Sequence, residues 1–202
     1  MQEFNLFECC QLQRITNTVA QLPFCCGDEA LERFYHQEAV LYADARLGKT
    51  YVFLDNSSTV TKVVAFFTVS NDSVKTSFIP KSSTNRVQRK IPGQKHLRTY
   101  PAVMIGRLGV AKEYQGSSYH IGQQVINYLK SWFVEEDNKT GCRFMVVDAY
   151  NNDRTLNFYI RNGFKFLYSN EEQERIELQI DQNEKLLTRH MFLDLLNTFI
   201  LE

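Results

Sequence analysis

The stretch from Met104 to Trp132, MIGRLGVAKEYQGSSYHIGQQVINYLKSW, restricts what the chain can fold into more than any other. It opens in an apolar run, Val103 to Val110, crosses a polar turn at Gln115-Gly116-Ser117-Ser118, and becomes amphipathic from Ile121. Ile121, Val125, Leu129 and Trp132, with Ile126 and Phe133 beside them, recur at the three- and four-residue spacing of one buried helical face. The pattern predicts strand, loop, helix. A glycine-containing turn feeding a helix gathers N–H groups that lack intrahelical partners at the positive end of the helix dipole, which suits a phosphate or pyrophosphate. Alone this is a weak signal, because many strand–loop–helix units bind nothing.

Support comes from downstream. A second apolar run, Arg143 to Tyr150, leads into Asn151-Asn152-Asp153 and then Leu156-Asn157-Phe158-Tyr159-Ile160-Arg161-Asn162-Gly163-Phe164. With GRLGV and YQG at the first strand–loop junction, VDAYNN at the second strand end and FYIRNGF after it, residues 50 to 168 resemble the GNAT superfamily of acyl-CoA-dependent N-acyltransferases. The resemblance implies an α/β (α+β) GNAT fold: a mixed central sheet of about six or seven strands, helices on both faces, and a splayed parallel pair where residues 103–110 meet 143–149. It implies one acyl-CoA N-acyltransferase domain over residues 1–202, consistent with a chain of 202 residues, long enough for a substantial core.

In that family the loop after the fourth strand cradles the CoA pyrophosphate. Carried over position by position, the acetyl-CoA contacts are Leu108, Gly109, Val110, Gln115, Gly116, Ser117, Ser118, Tyr119, His120, Ile121, Gly122 and Gln123, with Asn152 and Thr155 near the thioester. Tyr159 is the implied acid on the leaving thiolate; a tyrosine of pKa ~10 is protonated at neutral pH and roughly matches a thiol. The competing reading is a core tyrosine one turn past Leu156. Two departures stand out. Thr155 replaces a usual alanine, and the loop is longer, with Tyr119 or His120 where a central glycine is usual, so a bulky residue would reshape the grip on phosphate. No general base is evident. Glu113 and Asp148 are candidates by position, Lys112, Tyr114, His96 and His120 weaker ones, and a weakly basic amine would need little help.

Charge balance is even, with 23 basic and 23 acidic residues, so any polyanion site has to be a local patch. One such patch is KSSTNRVQRKIPGQKHLR, residues 81–98, with six basic residues and no acid. Its Arg89, Lys90 and Lys95 are candidate contacts to an RNA acceptor, against the plainer reading of a solvated loop. Five cysteines, Cys9, Cys10, Cys25, Cys26 and Cys142, show neither CxxC spacing nor histidines at zinc distance; they are expected to be reduced and mostly buried, with no metal. The absence of a signal-peptide pattern or long apolar run leads to an expected cytoplasmic location without membrane contact.

Elsewhere the pattern predicts a strand at residues 4–9 and a helix from Leu12 to Leu22 ended by Pro23. A helix from Asp28 to about Leu47, stopped by Gly48, and an antiparallel hairpin of Thr50–Leu54 with Lys62–Val69 follow. Glu171 to Glu184 reads as a loop or short surface strand. Thr188 to Leu195 reads as a last strand, with a helix competing for residues 191–201.

The early CGDEALERF helix, TYVFL, the basic segment, PAVMIGRLGV and TRHMFLDLL are most similar to the toxin branch of bacterial toxin–antitoxin acetyltransferases. The resemblance implies acetyl-CoA-dependent N-acetylation of a primary amine, with the α-amine of aminoacyl-tRNA as acceptor and an antitoxin protein as partner; it also admits a homodimer. A rival is a GNAT-fold binding or regulatory module with weak or no activity, for which the altered loop argues. A plain RNA-binding protein would explain the basic segment but not Asn152, Tyr159 or the anion loop.

Overall fold

The computed structural model describes residues 4–75, 77, 99–116, 118–181 and 183–197. Seven strands form a mixed sheet in the order β1-β2-β3-β4-β5-β7-β6. They are β1 Cys10–Arg14, β2 Lys49–Asp55, β3 Lys62–Lys75, β4 Thr99–Val110, β5 Phe144–Tyr150, β6 Lys165–Phe166 and β7 Thr188–Asp194. The chain divides into two compact units, and β3 and β4 each run through both. Unit 1 comprises residues 1–70 and 105–132; unit 2 comprises 71–104 and 133–202.

In unit 1, β1 pairs antiparallel with β2, and β2 with β3, as the hairpin at residues 55–58 predicts. The helix α5, Ile121–Trp132, buries Ile121, Val125, Ile126 and Leu129, the face that the sequence spacing marks out. The N-terminal elements differ from expectation. Residues 6–9 form one helical turn, α1, because Asn5 caps it by accepting a bond from Phe7 N and Leu6 is wholly buried. The expected helix from Leu12 to Leu22 is instead β1 followed by the short α2, Asn17–Ala20, capped by Thr16. Pairing of residues 10–14 with 51–55 overrides the weak helical periodicity.

The next helix runs over α3 Glu29–Arg33, a π-helical turn Phe34–Glu38, and α4 Ala39–Asp44. Asp28 caps it through bonds from Ala30 N and Leu31 N. The widened turn brings the consecutive residues Phe34 and Tyr35 both into the core, and Tyr35 Oη donates to Val19 O at 2.6 Å. The helix ends at Arg46 in the left-handed conformation (φ 58°), short of Gly48. Gly48 sits close to β3: a Cβ there would lie 3.1 Å from Thr68 Cγ2, so that side chain would have to give by a few tenths of an ångström.

Unit 2 has its own core, in which Tyr100, Phe144, Val146, Leu167, Tyr168 and Phe192 pack together. There β5 pairs antiparallel with β7 over seven residues, and β7 with the short β6. Between β5 and β6 lies α6, Asp153–Arg161. The polar stretch expected as a loop folds instead as α7, Glu171–Leu178. Its start is well specified: Asn170 Oδ1 accepts from Gln173 N, Gln173 Oε1 accepts from Ser169 N, and Glu171, Glu172 and Glu174 occupy the positive first turn. The last strand is β7 and a 3-10 turn follows at Leu195–Asn197, so the helix considered from residue 191 is excluded as far as residue 197.

Candidate active site

The two parts implied by the sequence fall in different units, and each is built by its own surroundings. In unit 1 the chain leaves β4 at Val110, makes a 3-10 turn at Lys112–Tyr114, and reaches α5. This connection is fastened on two sides by groups far away in sequence. Lys112 N donates to Cys25 O at 2.8 Å, and the Gln115 carboxamide donates to Cys26 O at 2.7 Å and to Val110 O at 2.9 Å. Segment 25–27 is held in turn by Glu32, which accepts from Cys26 N and Gly27 N, both at 2.8 Å. Those two N–H groups hold the Glu32 carboxyl below its ordinary pKa. On the other side Tyr114, 8% exposed, donates its hydroxyl to Asp55 Oδ2 at 3.3 Å.

Beyond these staples the backbone turns twice through the left-handed region, at Gly116 (φ 118°) and His120 (φ 50°). Gly116 faces open space, and Ser118, His120 and Gln123 are exposed. Gln124 N donates to His120 O at 3.0 Å, which makes His120 the residue before the first helical turn. The N–H groups of Ile121, Gly122 and Gln123 therefore lie in the turn that has no intrahelical acceptors, the arrangement that binds phosphate oxygens. The bulky residues of the lengthened loop are accommodated separately. His120 adopts the conformation a glycine would favour, while the Tyr119 ring turns into an aromatic group with Phe4 and Tyr114 (centroids 5.9 and 6.1 Å).

The expected contacts therefore separate by role. Gly116, Ser118, His120, Gly122 and Gln123 belong to the open part of the loop, and Ile121 offers backbone only, since its side chain is 2% exposed. Gln115 and Tyr119 use their side chains to hold the loop. Gly109 answers a packing need: a Cβ there would stand 2.6 Å from Phe66 Cε1 and 3.1 Å from Phe24 Cζ, both members of the cluster with Phe34 and Tyr35. Leu108 and Val110 flank it, half-buried. Ser117, Arg89, Lys90, Lys95 and His96 lie outside the described residues.

In unit 2, Asn152 caps α6 by accepting from Thr155 N at 3.0 Å, so this asparagine and threonine meet each other at the helix start. Asn152 is exposed and Thr155 half-buried. Two turns on, Tyr159 is 7% exposed and packs edge-to-face on Phe158 and Phe164 (5.0 and 5.2 Å). Phe164 N and Asn162 N both bond to Tyr159 O, and Gly163 turns the chain at φ 90°. Burial pushes the Tyr159 phenol above its ordinary value, which keeps it protonated throughout the neutral range.

The candidate bases are committed elsewhere. Glu113 pairs with Lys62 at 2.9 Å on the surface. Asp148 bonds His190 Nε2 at 2.9 Å, and this belongs to a network the sequence did not announce. His190 Nδ1 lies 3.3 Å from Glu174 Oε1, which also accepts from His190 N; Arg189 Nε donates to Glu174 Oε2 at 2.6 Å and its Nη1 reaches Glu171 at 3.1 Å. Asp148 and then Glu174 raise the His190 pKa to about 9. Burial opposes ionisation of Glu174, but the bonds from His190 and Arg189 outweigh it and hold the carboxyl below its ordinary value. The available signal was the alternation of Arg189 and His190 on a strand after an acidic stretch.

The cysteines also depart from expectation: Cys9 and Cys25 are exposed, and Cys10, Cys26 and Cys142 half-buried, all as free thiols. Burial, with Asp55 nearby, pushes Cys10 up to about 12, and burial pushes Cys142 up to about 11. Among the described residues no cluster of histidine, cysteine and carboxylate side chains could hold a metal, and no helix is long and apolar enough to cross a membrane.

No protein-family model matches the sequence. Solved structures do match the fold. A tyrosine-to-phenylalanine mutant of KacT superposes with a TM-score of 0.68, at 21% identity over 93% of this chain and 96% of that one. AtaT complexed with acetyl-methionyl-tRNAfMet gives 0.61, at 23% identity over 85% and 99%. The chain has the GNAT fold of these toxins. A tyrosine-to-phenylalanine mutant of the AtaT toxin, bound to the C-terminus of the antitoxin AtaR and acetyl-CoA, gives 0.57, at 16% identity over 94% and 95%. At identities this low the likeness shows the fold alone.

Proposed function

We propose that this chain is an acetyl-CoA-dependent N-acetyltransferase that moves an acetyl group to a primary amine, with the α-amine of aminoacyl-tRNA as its acceptor and an antitoxin as its protein partner. The observation that carries the reading is the placement of Tyr159, on a helix that Asn152 caps directly after β5. The GNAT neighbours add weight: KacT and AtaT were each studied as tyrosine-to-phenylalanine mutants, and AtaT was captured with acetyl-CoA, with antitoxin and with an acetylated aminoacyl-tRNA. In this reading residues 1–202 act as one catalytic domain, and the acceptor puts the enzyme in the cytoplasm.

The roles follow from chemistry. The open loop of unit 1 and the first turn of α5 offer backbone N–H groups to the pyrophosphate of acetyl-CoA. The neutral amine attacks the thioester carbonyl, the C–S bond breaks, and the thiolate takes the Tyr159 proton to leave as CoA thiol. The proton lost by the acetylated nitrogen passes through water to the phenolate and restores it. Arg89, Lys90 and Lys95 are assigned to acceptor phosphates. The rival binding-module reading rested on the bulky loop, and it loses force where His120 takes the glycine-like conformation and Tyr119 turns aside.

The first test is a thermal-shift titration with acetyl-CoA on wild type and Gly116→Trp. Saturable stabilisation that the substitution removes supports the cofactor site, whereas no shift at millimolar cofactor would end the enzyme reading. The second is Tyr159→Phe, expected to lower kcat for acetylation of aminoacyl-tRNA by about 10²–10⁴-fold with the melting temperature nearly unchanged. Full activity in that variant, read by mass spectrometry of the aminoacyl product, would remove Tyr159 from the mechanism.

A further inference from the structure

The glutamine after Gln123 was not among the expected site residues, yet its carboxamide bonds two backbone groups more than a hundred residues away. Gln124 lies in the first turn of α5, and its carboxamide meets three backbone groups. Its Oε1 accepts from Leu6 N at 2.7 Å; its Nε2 donates to Phe4 O at 2.9 Å and to Tyr119 O at 2.9 Å. One side chain thus ties the loop to a segment 118 to 120 residues away. A carboxamide suits this post because it presents acceptor and donors together; a carboxylate would put negative oxygens against two carbonyls, and an alkyl chain would satisfy none of the three groups.

Packing repeats the connection. The Phe4 ring sits 5.4 Å from Tyr114, before the open part of the loop, and 5.9 Å from Tyr119, within it. Leu6 is wholly buried, and Asn5 starts the turn that leads into β1. Tyr119 is restrained by both the Gln124 amide, at its backbone carbonyl, and the Phe4 ring.

We propose that Gln124 is a positioning residue for the cofactor loop, and that residues 4–6 are its brace, holding Tyr119 aside so that residues 116–123 keep the conformation that grips pyrophosphate. The proposal rests on the acetyltransferase reading for its ligand, but the brace itself does not. Release of residues 4–6 from Gln124 lets Tyr119 swing and loosens acetyl-CoA without touching the acid at Tyr159.

The test compares full-length wild type, Gln124→Leu and Phe4→Ala. Steady-state kinetics should show KM for acetyl-CoA raised at least tenfold in Gln124→Leu, and less in Phe4→Ala, with kcat at saturating cofactor within twofold. A substitution that merely damaged the fold would lower kcat as well. Hydrogen exchange without ligand reads the brace directly: peptides covering residues 4–12 and 114–126 should exchange at least tenfold faster in Gln124→Leu, with residues 144–161 unchanged. Unchanged exchange in both peptides, or an unchanged KM, overturns the proposal. Faster exchange in the variant together with no acetyl-CoA binding by wild type leaves the brace standing and removes the acetyltransferase reading instead.

Discussion

The loop of unit 1 and the β5–β7 end of unit 2 are both held by buried polar groups, but of opposite kinds. Around the loop the fastenings are carboxamides, backbone carbonyls and aromatic rings: Gln115 to Cys26 and Val110, and Tyr119 against Phe4 and Tyr114. Two carboxylates there, Glu32 and Asp55, accept from the uncharged donors Cys26 N, Gly27 N and Tyr114 Oη. Around β7 they are ions: Arg189 and His190 share Glu174, with Glu171 and Asp148 on the outside. Neutral bonds are each worth about 0.5–1.5 kcal/mol and barely respond to pH or salt. A buried ion is strongly dependent on its partners, because removing one leaves the other charged and unsolvated. Residues 116–123 include no carboxylate, which suits the phosphorylated ligand proposed for them, while β7, which pairs with β6, tolerates carboxylates.

Breaking the ionic side gives the largest effect. Glu174→Ala strands Arg189 and His190 and should destabilise the protein by about 3–5 kcal/mol in urea unfolding; a loss under 1 kcal/mol would mean that Glu171 and Asp148 suffice. On the neutral side the most sensitive point is steric. Gly109→Ala forces a Cβ against the Phe66 ring, 2.6 Å away, and should cost about 1–3 kcal/mol, measured the same way.

Smaller effects sharpen the contrast. His190 has a folded pKa of about 9 against an ordinary 6.5. Its contribution to stability is therefore complete below about pH 6.5 and disappears as pH rises through 9. Solvent at the half-exposed ring reduces this to about 1 kcal/mol. Wild type should lose that much between pH 6.5 and 10 relative to His190→Gln, and parallel curves for the two proteins would contradict it. Smallest of all is Lys62→Met, which removes the exposed pair with Glu113 and should change stability by less than about 0.5 kcal/mol in low-salt thermal unfolding.

Much of this was legible in the sequence. The spacing of Ile121, Val125 and Leu129 located α5 and its buried face, whereas Asn152, read as a cofactor contact, also caps the helix that carries Tyr159. What escaped was decided at a distance. Residues 10–14 are a strand because residues 51–55 pair with them, and Gln124 matters because Phe4 and Leu6 arrive beside it. The helix at Glu171–Leu178 escaped for another reason: its face is almost wholly polar, so its evidence lay in the Asn170 and Gln173 cap and not in apolar periodicity. The packing need at Gly109 was hidden because a glycine beside a ligand loop and a glycine beneath a phenylalanine ring look alike in one dimension.

The division of the chain has a consequence for its birth. Unit 1 is complete once Trp132 has been made, whereas unit 2 needs β7, which lies between β5 and β6 in the sheet and ends at Asp194. A ribosome delivers the first before the second, so the loop and helix after β4 can form before the strand that braces β5, and with it the tyrosine helix, has emerged. For a protein whose proposed acceptor is the charged tRNA that feeds its own synthesis, that order postpones activity until β7 has been made.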